Sequence, residues 1–334
     1  MMTKRIGFAC KLSESHPTKG VVSIPKYNTQ TTTLAWLNRQ KKSDAYRKLE
    51  SIMIHNLNSI YGLVERVGDW DPALRMVRLS SEVLPAYTAP VWQDFYTSYS
   101  VQSYLQQEFS KVGDLARKLN VRLSFHPGQF TVLASDKPTV VENSIREFEY
   151  HANMARWMGY GKSFQDFKIN VHIAGKLGPA GILAVLPKLS AEARNTITIE
   201  NEEMSYGLDD CLTLSDHLPI VLDLHHHWIK TGTYISATDS RISKIIDSWR
   251  GVRPVIHYSV SREDVLCEHD STVLPDHKLL MESGYNKPKL RAHSDYMWNL
   301  AVNQWAKTHW VWADIMVEAK CKNLASIELY NQIK

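Results

Sequence analysis

Residues 219–226 read PIVLDLHH, a short apolar run that opens on a proline and closes on Asp223 and the first two of three consecutive histidines. A run of this length, bounded by turn-forming and polar residues, has the pattern of a buried strand. The same design recurs in RIGFAC (5–10), RMVRLSS (75–81), VRLSFHP (121–127), FKINVHIAG (167–175), TITIEN (196–201), RPVIHYS (253–259) and DIMVEAK (314–320). Eight strands are therefore expected. Between them lie stretches of helical character: Ala45 to Val67, Ser98 to Leu119, Thr139 to Trp157, Gly181 to Ala193, Leu208 to His217, Ala237 to Trp249 and Ser294 to Thr308. In the third of these, Ile145, Phe148, Ala152 and Ala155 recur at spacings of three and four, which lays one apolar face along a helix.

Strands that alternate with helices, and are too apolar for a one-sided sheet, imply parallel βα units. Eight such units close most simply into a single (β/α)8 TIM barrel, here one domain over residues 1–334 with a metal cluster at the C-terminal mouth of the strands. A doubly wound open sheet is the alternative, but no strand–helix junction carries GxGxxG or GxxxxGK[ST]. With 44% hydrophobic residues the 334-residue chain can bury a large core, which excludes disorder. The net charge of +4 permits an anionic partner without demanding one. Cys10, Cys211, Cys267 and Cys321 are widely spaced and form no CxxC pair, as expected of reduced thiols. The N-terminus lacks a signal-peptide core and no run approaches the ~20 apolar residues of a membrane span. A cytoplasmic protein without membrane contact is expected.

The ionisable residues decide the function. Glu82 follows the second strand, His126 ends the third, His172 sits late in the fourth and Glu200 ends the fifth. Asp223 and the histidine triplet end the sixth, His257 the seventh and Glu318 the eighth. A barrel gathers its active site at that end of its strands. One strand histidine is more often a hydrogen-bonded structural residue than a ligand, but seven runs ending this way would leave like charges uncompensated without a cation. Imidazole and carboxylate without thiolate suit Mn²⁺, Zn²⁺ or Fe²⁺, and the number of side chains implies two or three ions, an arrangement suited to phosphoester hydrolysis. HPGQF adds a forced turn directly after His126, which carries Gln129 and Phe130 out over the mouth. HWVWAD (309–314) is expected to pack in the core, and KSDAYRK (42–48) to be a solvated helix face.

At RIGFAC, RLSSEVLP, LSFHPGQF, NVHIAGK, TIENEE, LDLHHHW, SWRGVRPVIHYS, AHSDYMW and DIMVEAKCKNLA the sequence resembles the UV damage endonuclease family, whose members share the barrel and multi-metal layout of endonuclease IV. The resemblance implies a Mn²⁺-preferring DNA repair enzyme. It would act as a monomer on double-stranded DNA carrying UV lesions and nick the backbone immediately 5′ of cyclobutane dimers and 6-4 photoproducts, leaving a 3′-hydroxyl and a 5′-phosphate. Its implied metal ligands are Glu82, His126, His172, Glu200, Asp223, His226, His257, His293 and Glu318, with Glu200, Glu318 and His257 carrying the catalysis. Gln129 and Phe130 would probe the damaged duplex, with Phe8 sharing that task and Lys176 and Lys320 meeting phosphates. A photodimer stacks poorly, so extruding it costs less than extruding intact bases.

The sequence also departs from the family pattern. Some relatives carry a modified lysine two residues before the seventh-strand histidine, where this chain has Val255. Glu82 stands where relatives have His or Asp, and Phe130 where tyrosine also occurs. Within the triplet, strand alternation alone would pair Asp223 with His225; the family pattern pairs it with His226, which requires the chain to turn just after Leu224. The competing readings are an abasic-site endonuclease and a metal-dependent sugar isomerase or epimerase on the same barrel.

Overall fold

The structure is a computed structural model that describes residues 3–266 and 269–334; Cys267 lies outside them. Its strands are β1 (Ile6–Ala9), β2 (Ser13–His16), β3 (Gly20–Ser23), β4 (Met76–Arg78), β5 (Arg122–Phe125), β6 (Lys168–His172), β7 (Ile197–Glu200), β8 (Ile220–Val221), β9 (Val255–Tyr258) and β10 (Asp314–Val317). Eight of them form one sheet in the order β8-β7-β6-β5-β4-β1-β10-β9, and its strand pairs are parallel. The two edge strands meet through a parallel bridge between Asp223 and His257 and a bond from the His257 N–H to the Leu222 carbonyl (3.0 Å), so the barrel is nearly closed. All eight strands therefore end at one rim. Register carries this to single residues: His172 lies beside Glu200 across β6 and β7.

Side-chain alternation sorts each strand into a face toward the helices and a face toward the barrel axis. On β6, Lys168, Asn170 and His172 share the inner face; Lys168 reaches His257 across the interior, and Asn170 bonds Glu200 on the neighbouring β7. β1 sits tightly against its neighbour at Gly7, where a Cβ would lie 2.7 Å from the Met76 carbonyl oxygen, so only glycine fits. The floor of the barrel is polar. Asp314, fully buried, accepts from Arg122 Nη1 (2.7 Å), Arg253 Nε (2.7 Å) and the Arg5 N–H (2.9 Å).

Three predicted helices appear nearly as read: Lys42–Gly68, Tyr99–Leu119 and Pro138–Trp157. The single helix expected over 181–193 divides into Gly178–Val185 and Ala191–Thr196, because Pro187 interrupts it and Ser190 caps the second piece by accepting from the Ala193 N–H. Leu208–Leu212 and Ser240–Ser248 are shorter than expected, and the segment from 294 becomes helical only at Leu300, where Asn299 caps it. A hairpin of β2 and β3 after the first strand, and a last helix Asn323–Ile333, were not expected. Cys10, Cys211 and Cys321 are free thiols.

Candidate metal centre at the barrel mouth

The end of β8 fixes half of the site. Asp223 is held by the Asn201 side chain, which accepts from the Asp223 N–H (2.9 Å) and donates to its carbonyl (3.1 Å). Asp223 then caps the helix Leu224–Thr231, its Oδ1 accepting from the His226 N–H (2.7 Å). The strand thus gives way to helix at Asp223, one residue earlier than expected, and the i,i+3 relation turns His226 toward the acids. His226 Nδ1 donates to the Asn201 carbonyl (3.0 Å) and lies 3.6 Å from Glu200 Oε1 and 3.8 Å from Asp223 Oδ2.

Glu200, fully buried at the end of β7, is the centre of the cluster. Asn170 Nδ2 donates to its Oε2, His126 Nε2 lies 3.3 Å from the same oxygen, and His257 Nδ1 stands 3.1 Å from Oε1. Asn170 is aimed by Thr198, whose hydroxyl donates to its Oδ1 (2.7 Å). The His126 ring is aimed by Nδ1–H donating to the Pro127 carbonyl (2.9 Å), which leaves Nε2 for the cluster. Glu318, just past β10, is bonded by Arg78 Nη1 and lies 3.4 Å from His257 Nδ1. The His172 ring stands 4.9 Å from that of His126 and 5.5 Å from that of His226.

Ligand atoms within 4.8 Å of one another form three groups: His126, Glu200 and His257; His172, Glu200 and His226; and Asp223, His257 and Glu318. Glu200 Oε1, Asp223 Oδ2 and His257 Nδ1 are buried without hydrogen-bond partners and converge on this space. Leaving such atoms unmatched costs about 1–3 kcal/mol each, and more for charged groups. Divalent cations held by these groups would match all three atoms, and the nitrogen and oxygen donor set suits such ions. The electrostatics agree. Burial alone would raise the Glu200 carboxyl, but His257 and His172 hold it well below the usual range. Burial likewise opposes the Glu318 charge, and Arg78 and His257 overcome it. Burial raises Asp223 to about 7, and it lowers His172 and His257 to about 4 against the pull of Glu200.

Above the cluster lies a cavity of about 430 Å³ whose walls include His172, His226, His293, Gln129, Glu203 and Arg291. A model of the family described as UV-endonuclease UvdE matches residues 4–334. The chain belongs to the UvdE family. A UV DNA damage endonuclease of Bacillus velezensis is 27% identical over 315 residues, covering 91% of this chain and 88% of the relative. A UV-damage endonuclease of Schizosaccharomyces pombe is 30% identical over 296 residues, covering 84% of this chain but 44% of that longer protein. Among solved structures, SacUVDE superposes with a TM-score of 0.72 at 22% identity, covering 98% of this chain and 96% of that one. Endonuclease IV from Thermus thermophilus superposes at 0.53 and 12% identity, covering 98% and 97%. Both are likenesses of fold.

In this UvdE-family chain seven expected ligands converge: His126, His172, Glu200, Asp223, His226, His257 and Glu318. His293 joins them as a wall of the cavity but belongs to none of the three groups. Glu82 belongs to none of the three groups. Its loop is pinned by Asn56 Nδ2 donating to the Val83 carbonyl (2.8 Å) and by the Tyr150 hydroxyl accepting from the Leu84 N–H (2.9 Å), and the Glu82 side chain is turned out to solvent. The inward position on that strand belongs to Arg78. Phe8, expected to help probe the duplex, is fully buried with its ring 5.7 Å from that of Trp70. Burying such a ring stabilises the fold by about 2–3 kcal/mol, and the alternation of β1 points it at the helices rather than the mouth.

Gln129 lines the cavity and Phe130 is 85% exposed beside it. Lys176 and Lys320 are exposed on mouth loops, paired with Asp136 (3.1 Å) and Asp295 (3.4 Å). His225 and His227 stand apart. Both nitrogens of His225 meet hydroxyls, Ser259 (2.8 Å) and Ser261 (3.0 Å), while His227 is buried on the far side of its helix. Besides Arg78 and Asn201, four residues at the site were not anticipated. Asn170 and Lys168 are signalled only by sharing a strand face with His172, Glu203 lies in the IENEE run 3.7 Å from His226 Nε2, and Arg291 bonds Glu203 (3.0 Å). Val255 is buried and apolar, but Lys168 Nζ reaches His257 Nε2 (2.9 Å), and burial pushes the Lys168 ammonium down to about 7.

Proposed function

We propose that this chain is a metal-dependent endonuclease that nicks DNA immediately 5′ of UV photoproducts, leaving a 3′-hydroxyl and a 5′-phosphate. The observation that carries the reading is Glu200, buried at the centre of His126, His172, His226 and His257, directly below a rim that exposes Gln129 and Phe130. His126, His172, Glu200, Asp223, His226, His257 and Glu318, with His293 at the wall, would hold two to three divalent ions, with Mn²⁺ first and Zn²⁺ or Fe²⁺ as alternatives. Such ions neutralise phosphate charge and acidify water in their shell.

The chain's own residues do the rest. Asn170 and His126 fix Glu200, and Arg78 fixes Glu318, so the carboxylates are oriented before substrate arrives. Phe130 supplies an apolar face for the gap left by an extruded dimer, and Gln129 a polar group at the cavity wall. Lys176 and Lys320 meet phosphates by exchanging their present carboxylate partners for the DNA backbone. The proposed enzyme works as a monomer in the cytoplasm. No helix among the described residues is long and apolar enough to cross a membrane.

The test is nicking of irradiated against unirradiated plasmid, with Mn²⁺ and with chelator. A tetrahydrofuran-containing duplex separates this activity from abasic-site cleavage. Cleavage of the tetrahydrofuran duplex with indifference to irradiation would replace this reading by the abasic one.

A further inference from the structure

We propose that Lys168 is a positioning residue of the metal centre: from inside the barrel it holds the His257 ring so that Nδ1 faces Glu200 and Glu318. The proposal rests on the reading of these residues as metal ligands.

Lys168 is the first residue of β6 and His257 belongs to β9, strands that are not neighbours in the sheet, so their contact crosses the barrel interior. Lys168 is 3% exposed, and its Nζ lies 2.9 Å from His257 Nε2. The interior of such a barrel is ordinarily filled by branched apolar side chains. A lysine there is desolvated at a cost, and its end group is spent on one ring nitrogen. The other nitrogen of that ring faces Glu200 Oε1 at 3.1 Å and Glu318 Oε1 at 3.4 Å.

The contact holds the ring in either proton arrangement. An ammonium donates to the Nε2 lone pair and turns Nδ1–H toward the acids; an amine accepts Nε2–H, and this is the arrangement that leaves the Nδ1 lone pair free for a cation. Either way the edge of the ring bearing Nε2 is anchored, and a flip that would carry Nδ1 away from the acids breaks the hydrogen bond. His126 and His226 are steadied differently, through the Pro127 and Asn201 carbonyls. Of these three rings, His257 is the one whose partner is a side chain, and so the one whose orientation can be removed by substitution.

The experiment is titration of the metal-stripped full chain with Mn²⁺, the free ion followed by electron paramagnetic resonance, for wild type, Lys168→Met, His257→Ala and the double variant. Lys168→Met should weaken one class of Mn²⁺ sites by about 10–100-fold, and the same substitution should cost nothing further in the His257→Ala background. Wild-type affinity in Lys168→Met, or an equal loss in both backgrounds, overturns the positioning role while leaving the metal reading intact. A wild-type chain that binds no Mn²⁺ overturns the metal reading and the proposal with it. Should Lys168→Met not fold, a crystal structure of the Mn²⁺-loaded wild type decides. An ion on Nδ1 with Lys168 still on Nε2 supports the proposal, and an ion on Nε2, or a lysine turned away, overturns it.

Discussion

Glu200 Oε1 and His257 Nδ1 lie 3.1 Å apart in a fully buried setting, yet neither atom makes a hydrogen bond. The pair is matched when a cation lies between its lone pairs. Mn²⁺ should therefore raise the thermal midpoint of the metal-stripped protein. At a hundred times the dissociation constant the gain is about 2.7 kcal/mol, a shift of several degrees. Glu200→Gln should lose most of that shift, because Glu200 belongs to two of the three ligand groups. Calorimetry with and without Mn²⁺ measures both.

The histidine triplet divides by environment. His226→Ala should cost Mn²⁺ affinity and nicking, since its ring stands between Asp223, Glu200 and Glu203. His225→Ala strands the Ser259 hydroxyl, while Ser261 keeps its bond to the Leu290 carbonyl (2.6 Å), and should cost about 1–3 kcal/mol of stability with Mn²⁺ affinity kept. Urea midpoints beside Mn²⁺ titrations separate the two effects.

At the opposite end of the barrel, Asp314 gathers Arg122 and Arg253 on one carboxylate. Asp314→Asn removes the charge that compensates them and should destabilise the fold by about 3–5 kcal/mol, while Mn²⁺ affinity measured well below the melting point stays near wild type. Urea unfolding and Mn²⁺ titration of the variant check the two halves of this expectation.

Acid should weaken the fold through buried histidines outside the three ligand groups. Burial lowers His151 and His309 from 6.5 to about 4. The folded state keeps these rings neutral while the unfolded chain protonates them, so their contribution is intact above about pH 6.5 and is lost as pH falls toward 4. A shift of this size at a fully buried group is worth about 3 kcal/mol. Replacing His151 by Phe should flatten the stability profile between pH 6.5 and 4, and denaturant midpoints across that window would show whether it does.

The strand ends were legible because a parallel barrel forces every C-terminal end to one rim, so His126, His172, Glu200, Asp223, His257 and Glu318 could be assigned together from position alone. What position alone did not carry was side-chain direction. Glu82 follows its strand as expected, but Asn56 and Tyr150, distant in sequence, decide which way its loop turns. Phe8 sits on the wrong parity of a four-residue strand. Arg78 and Lys168 were invisible as site residues because each takes its meaning from a partner across the barrel, 240 residues away for Glu318 and 89 for His257. The Asp223–His226 spacing became intelligible only where the strand yields to a helix capped by Asp223 itself.

Metal-dependent, lesion-directed cleavage is decided by nicking of irradiated and unirradiated supercoiled plasmid, with Mn²⁺ and with chelator, by wild type and Glu200→Gln. Nicking should depend on Mn²⁺, run far faster on irradiated DNA, vanish with chelator and fall by at least about a hundredfold in Glu200→Gln. Equal rates on both plasmids, or full activity in Glu200→Gln, would contradict this reading.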